Sequence, residues 1–191
     1  MNTNKKTARI VGVLILIAYG VIGSFLSESK IFVMLLELIS GVAIVGMAVL
    51  MFPILKPHNK NLTLGYAAVK VIDGILIVAA AIMILSSSPL LLGVRDWIYE
   101  YGTYLFGTGF LILSYLFYQS KLVPRFVSVW GLIASMVFLA STLLNMMVLS
   151  SEIPMAFSHL PVILNELTLA IWLIVKGFNP SAIASQSTKQ I

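Results

Sequence analysis

Apolar runs long enough to cross a hydrocarbon core of about 30 Å, which takes around 20 helical residues, recur along this whole chain. Spans are expected at 8–27, 31–52, 62–86, 97–118, 126–149 and 157–177. The connectors between them carry Pro, Gly, Ser, Asn or charge: Ser27–Lys30, Pro53–Asn61, Ser87–Asp96, Gln119–Arg125 and Ser150–Ala156. None is long enough to hold a soluble domain. The pattern predicts an all-α integral membrane protein with six transmembrane helices in one bundle over residues 1–178. A short polar, Ser-rich tail over 179–191 reads as an irregular end. Composition agrees: 60% of residues are hydrophobic and only 10% charged, against the roughly 45–50% apolar content of a soluble domain.

The placement of charge gives the chain a direction. Lys5, Lys6, Arg9, Lys56, Lys60, Lys121, Arg125, Lys176 and Lys189 fall on one side of the expected spans, against Lys30 and Arg95 on the other. Because cytoplasmic loops carry the excess of Lys and Arg near helix ends, both termini are expected in the cytoplasm, as in a prokaryotic cell membrane. The same placement argues against nucleic acid as the partner of a chain with formal charge +5, since the cations form no stripe with interleaved aromatics. A cleaved signal peptide is disfavoured: the apolar run Ile10–Leu26 is longer than a signal core and lacks a clear Ala-x-Ala site.

Against this apolar background Glu37, Lys70, Asp73 and Glu166 fall inside spans, where an ionisable group normally faces a partner, a cavity or a permeant. Lys70 and Asp73 are three residues apart on one helix face and within pairing distance. They are read either as a self-satisfied structural pair or as part of a site. Fully ionised, the three acids and one base would leave two negative charges in the interior, and an uncompensated buried charge normally changes protonation state or acquires a partner. Glu37 and Glu166 are thus expected to be the acids that need a proton, a cation, a basic ligand or polar water.

Other positions could line the same space. Glu100, Tyr104, Gly107 or Thr108, Leu111 and Tyr115 recur at helical spacing, as do Ser128, Gly131, Ser135, Phe138, Thr142 and Asn145. Small and hydroxyl residues also serve close helix packing in membranes. Asn145 stands apart because back-bonding to its own helix cannot satisfy its whole amide. Pro161 reads in two ways: with a helix start near Met155 it opens the second turn just before Asn165 and Glu166, and with a start at Leu160 it is a comfortable first-turn residue.

Several chemistries are excluded. The chain has no cysteine, which removes disulfides, thiolate metal sites and thiol nucleophiles. His58 and His159 are expected at opposite membrane faces and cannot share a metal, the methionines are scattered apolar filler, and Trp97, Trp130 and Trp172 suit interfacial anchoring. No hydrolase, zinc or phosphate-loop motif is present, and aspartyl catalysis would need a second aspartate inside the membrane. No cofactor and no metal site is expected. The two three-span halves would have inverted orientation, with Asp73 and Glu166 midway along their third helices, too thin a match to mark a repeat.

Some stretches have a familiar look: Lys5-Lys6-Thr7-Ala8-Arg9-Ile10 with Gly12, Leu64-Gly65-Tyr66, Ser120-Lys121-Leu122-Val123-Pro124-Arg125, Trp130-Gly131 and Trp172-Leu173-Ile174-Val175-Lys176-Gly177-Phe178. Together they resemble the bacterial and archaeal membrane proteins grouped as domain-of-unknown-function family 4386. The resemblance implies a compact multi-span protein and no established activity. In that pattern Arg and Glu often stand where this chain has Lys70 and Asp73, which keeps charge but changes reach.

The reading these features support is a small carrier or binding protein for a proton, cation or basic solute. Its candidate residues are Glu37, Lys70, Asp73, Glu166, Asn145, Asn165, Glu100 and Tyr104. The alternative is a non-catalytic membrane module that binds lipid or a partner membrane protein, with structural charges. An enzyme is the least supported class. Expected partners are the lipid bilayer, the proton or small cationic solute, and further copies of the chain in a homo-oligomer.

Overall fold

A computed structural model describes residues 3–24, 27–147 and 155–187. All regular structure among them is helical: α1 (Thr3–Ala18), α2 (Gly20–Ser24), α3 (Lys30–Leu55), α4 (Lys60–Met83), α5 (Pro89–Ser120), α6 (Arg125–Met147), α7 (Met155–Val175) and α8 (Pro180–Ser187). The ends of the first and fifth expected spans (25–26 and 148–149), most of the Ser150–Ala156 connector and Lys189 lie outside the described residues.

The six long helices pack in chain order around a ring. α3 lies on α1, α4 on α3, α5 on α4, α6 on α5, α7 on α6, and α7 returns to α1. Neighbours run antiparallel, as short connectors require. Lys5, Lys6, Arg9, Lys56, Lys60, Lys121, Arg125 and Lys176 therefore gather at one end of the ring, with no Asp or Glu beside them among the described residues. Glu28, Lys30, Arg95, Asp96 and Glu100 belong to the other. These are called the basic and the acidic end below.

Apolar side chains cover the outside of the ring as well as its core. Outward positions are large and apolar, among them Ile39, Val42, Val49, Ile75, Ile133 and Ile171, each more than half exposed. Glu37, Ser40, Lys70, Asp73 and Asn165 are buried. An apolar exterior, with the few charged groups of the spans turned inward, is what a helical membrane protein presents to lipid. Five stretches are long and apolar enough to cross a membrane: Asn4–Gly23, Lys30–Leu55, Lys60–Met83, Arg125–Met147 and Phe157–Val175.

Several boundaries differ from the sequence expectation. The expected span 97–118 lies within α5, whose hydropathy is diluted by Tyr101, Gly102, Thr103, Tyr104, Gly107, Thr108 and Gly109, so α5 is absent from those five. The Ser87–Asp96 connector is mostly helix, because Ser88 at the N-cap and Pro89 at the first position start α5 eight residues before Trp97. The first span is shifted toward the N-terminus and is broken at Tyr19 between α1 and α2. The tail contains α8, whose Ala182 and Ile183 pack on the core, in place of a wholly irregular end. Pro161 sits inside α7, which runs unbroken from Met155 to Val175, so it neither starts nor interrupts the helix.

Close helix approach depends on a few glycines. A methyl group on Gly41 would lie 2.8 Å from the Gly74 carbonyl and 2.7 Å from Val78, and one on Gly74 would meet Gly41 equally closely. Gly41→Ala is expected to lower stability in detergent by about 1–3 kcal/mol, because the backbones must separate. Gly65→Ala meets nothing within 4 Å and should be neutral or stabilising by up to about 1 kcal/mol. Thermal unfolding of the two variants checks the contrast.

Candidate functional site

At the centre of the ring α4 presents a buried cation. Lys70 Nζ lies 3.4 Å from Asp73 Oδ2, one turn further along the same helix, and 4.8 Å from the centre of the Phe106 ring of α5. Gly109 makes this crossing possible, since a methyl group there would stand 3.0 Å from Lys70 Cε. Across the ring α7 contributes Glu166, which feels the attraction of Lys70 and the repulsion of Asp73. Its Oε2 accepts a 2.7 Å hydrogen bond from the Tyr19 hydroxyl. Tyr66 of α4, 1% exposed, is also within electrostatic range of Glu166.

Lys70, Glu166 and Tyr66 line one small cavity with Val11, Ile15, Met47, Met51, Phe110, Leu113, Phe117 and Leu173. Its volume is about 20 Å³, room for a single water beside polar partners.

Tyr19 reaches Glu166 because the first span breaks there. Its N–H turns back to Leu16 O at 3.3 Å, and α2 restarts at Gly20. Ser40 of α3 seals the break, with its hydroxyl 2.7 Å from Leu36 O and 3.3 Å from Ile17 O. Gly20 leaves room for that hydroxyl, which a methyl group would approach to 2.8 Å.

Glu37 belongs to a second layer nearer the acidic end. Its fully buried carboxylate meets Arg95 of α5, Oε1 to Nη2 at 2.5 Å. The guanidinium stacks 4.8 Å above the Tyr99 ring, one turn on, and Tyr99 in turn interacts with Glu37. The expectation that Glu37 and Glu166 form an uncompensated couple is thus corrected. Arg95 joins the interior because the helix begins at Pro89, leaving three acids against two bases.

The other candidates fall outside the central group. Asn165 is buried but faces α6, where its Nδ2 donates to Val127 O at 2.9 Å and its Oδ1 fits against Gly131. Glu100 and Asn145 are exposed. Tyr104 directs its hydroxyl to Thr142 O and Met146 Sδ at the edge of α6. Ser128, Ser135, Ser141 and Thr142 bond carbonyls of their own helix, as packing hydroxyls in membranes do. His159 packs edge-on against Phe138 with Ser158 2.8 Å from its ring nitrogen. Among the described residues no group of three His, Asp or Glu could hold a metal.

A family model described as "Domain of unknown function (DUF4386)" matches residues 27–177. The chain belongs to this family. No curated protein and no solved structure matches it. The match covers the DUF4386 stretches from Leu64 to Gly177 and leaves the Lys5–Gly12 stretch outside.

Two of the stretches that carry the resemblance meet in space. Leu122 and Val123 of the α5–α6 connector are buried in one cluster with Phe178, and Asn179 N–H donates to Leu122 O at 2.9 Å. Gly177, with φ +79°, makes the left-handed turn that ends α7 beside Lys5 and Ala8. These stretches are structural, since they close the basic end.

Tyr19 and Arg95 are the site residues that sequence reasoning missed. A Tyr-Gly pair inside an apolar run signals the first. The second follows from Ser88-Pro89, which extends α5 through Arg95 and places Tyr99 four residues later on the same face. Arg95→Gln is expected to cost about 3–5 kcal/mol by stranding a buried carboxylate. The double variant Glu37→Gln/Arg95→Gln should recover more than half of that loss, as measured by thermal unfolding in detergent.

Proposed function

We propose that this protein is a six-span carrier or binding protein of the prokaryotic cytoplasmic membrane whose Glu166 centre takes up one proton. The carrying observation is the pairing in the interior. Lys70 cancels Asp73 and Arg95 cancels Glu37, while among the described residues the hydrogen-bond partner of Glu166 is the neutral Tyr19 hydroxyl. One negative charge therefore remains, and one proton or monovalent cation neutralises it. The nearby Lys70 ammonium favours the proton over a second cation. A cavity of about 20 Å³ leaves no room for a basic solute.

A sixth span at α5 is supported by its place between α4 and α6 and by the burial of Gly107, Gly109, Phe110, Leu113 and Phe117 within 97–118. The acid-free basic end supports cytoplasmic termini.

The groups facing Glu166 are Tyr19 at the break between α1 and α2 and Lys70, Asp73 and Tyr66 of α4. The other neighbour, α6, has no ionisable side chain beyond Arg125 at its start. A native state that holds a proton the unfolded chain has released binds more protons, so its stability falls as pH rises. His58, in the α3–α4 connector, acts oppositely. Burial holds its imidazole below the ordinary histidine range, so its contribution is complete above that range and is lost as pH drops through it.

In a His58→Gln/His159→Gln background, the melting temperature in detergent should therefore fall between about pH 5 and pH 8. Glu166→Gln should abolish that slope while still folding. A slope that Glu166→Gln leaves in place would sink the proposal and favour the reading of a non-catalytic module with structural charges.

A further inference from the structure

The lumen is built differently toward its two ends. On the basic side the floor of the cavity is Met51, Leu113, Phe117 and Leu173. Beneath it Leu55, Leu122, Val123 and Phe178 are at most 5% exposed and belong to the same cluster. The buried hydroxyls at that level, on Thr63, Ser120 and Ser128, bond neighbouring backbone. The rest of the layer's buried side chains are apolar.

On the acidic side polar groups continue outward from Glu166. Tyr19 and the break between α1 and α2 come first, then Ser40, which seals it, and then Glu37 with Arg95. α4 separates α3 from α5 in the ring. The Glu37–Arg95 pair therefore passes in front of α4 and ties two helices that are not ring neighbours. Arg95 is also where this column meets the surface: its side chain is 15% exposed, while that of Glu37 is 0% exposed.

Arg95 has a second carboxylate within reach. Its Nη1 is 4.0 Å from Asp96 Oδ1, on a side chain that is 80% exposed. From one position the guanidinium touches a buried and an exposed carboxylate at once, and a shift of its weight from the inner to the outer one is the step a switching element needs. Turning toward Asp96 uncovers the lumen and leaves Glu37 to Tyr99.

We infer that the Arg95–Glu37 pair is the gate of the Glu166 site and that the site exchanges water and protons with the acidic end alone. The inference rests on Glu166 as a proton-binding centre for its purpose, but its geometry and its test do not depend on any proton bound there.

Because the chain contains no cysteine, single thiols report access directly. Met47→Cys places a thiol in the cavity lining, and Val123→Cys places one in the basic-end layer. Methyl methanethiosulfonate, small and uncharged, is the probe, applied to the full chain in detergent, since shortening Met47 to cysteine opens space in the cavity. Removing the pair with Arg95→Ala should speed labelling of Met47→Cys on the order of tenfold, the shift expected when the contact holding a closed state is lost. Val123→Cys should stay protected, and Arg95→Lys should leave Met47→Cys slow.

Asp96→Asn, an exposed change that spares the buried pair, should slow the basal labelling of Met47→Cys and keeps the test decisive if Arg95→Ala does not fold. The gate is refuted if Met47→Cys reacts equally with and without Arg95, if Val123→Cys accelerates in step with it, or if Asp96→Asn leaves the basal rate unchanged. Loss of the pH slope in stability with these labelling results intact would overturn only the proton-binding reading of Glu166.

Discussion

A lysine at the centre of a ring of membrane helices must be neutralised where it stands, and the surrounding structure answers to that constraint. Lys70 is 5% exposed and too deep to reach either end of the ring. Asp73 supplies the opposite charge within the same helix, Phe106 supplies a ring face, and Glu166 faces it from across the lumen. Gly109 lets α5 approach the lysine stem. Without those responses the charge would cost more than helix packing returns.

The same logic orders the interior into layers. Charges that can be cancelled in pairs are cancelled, Lys70 by Asp73 and Arg95 by Glu37, and the hydroxyl groups are returned to helix backbone. Glu166 is the exception. It is held by a phenol that reaches it only because the first span breaks at Tyr19 and Ser40 closes the gap. Broken helices beside ion sites recur in membrane carriers. Here the break also turns a smooth lumen wall into a polar one on the acidic side, while the family's connector and C-terminal stretches pack into an apolar floor on the basic side.

Much of this was legible in the sequence, and the rest was hidden for identifiable reasons. The helical membrane class followed from run length, and the Lys70–Asp73 pair followed from spacing, since both are properties of a single helix. The beginning of α5 was misplaced because Arg95 and Asp96 resemble a loop unless Ser88-Pro89 is given priority. That one boundary carried Arg95 out of the interior and left Glu37 without its cation. Asn145 and Glu100 had the right residue type and helical period, but period alone does not say which of two faces turns inward.

The sequence by itself determined a helical membrane protein with a strongly asymmetric distribution of basic residues and four ionisable side chains at depth. Hydrophobic run length and charge placement are local quantities and need no knowledge of neighbours. Only the tertiary structure decided which of those charges meet: Glu37 with a cation 58 residues away, Glu166 with a tyrosine 147 residues away, and neither with the other. Those partners are set by the order in which the helices close their ring and by the glycines that let them approach, because a buried charge is satisfied by whatever the packing brings within hydrogen-bond reach.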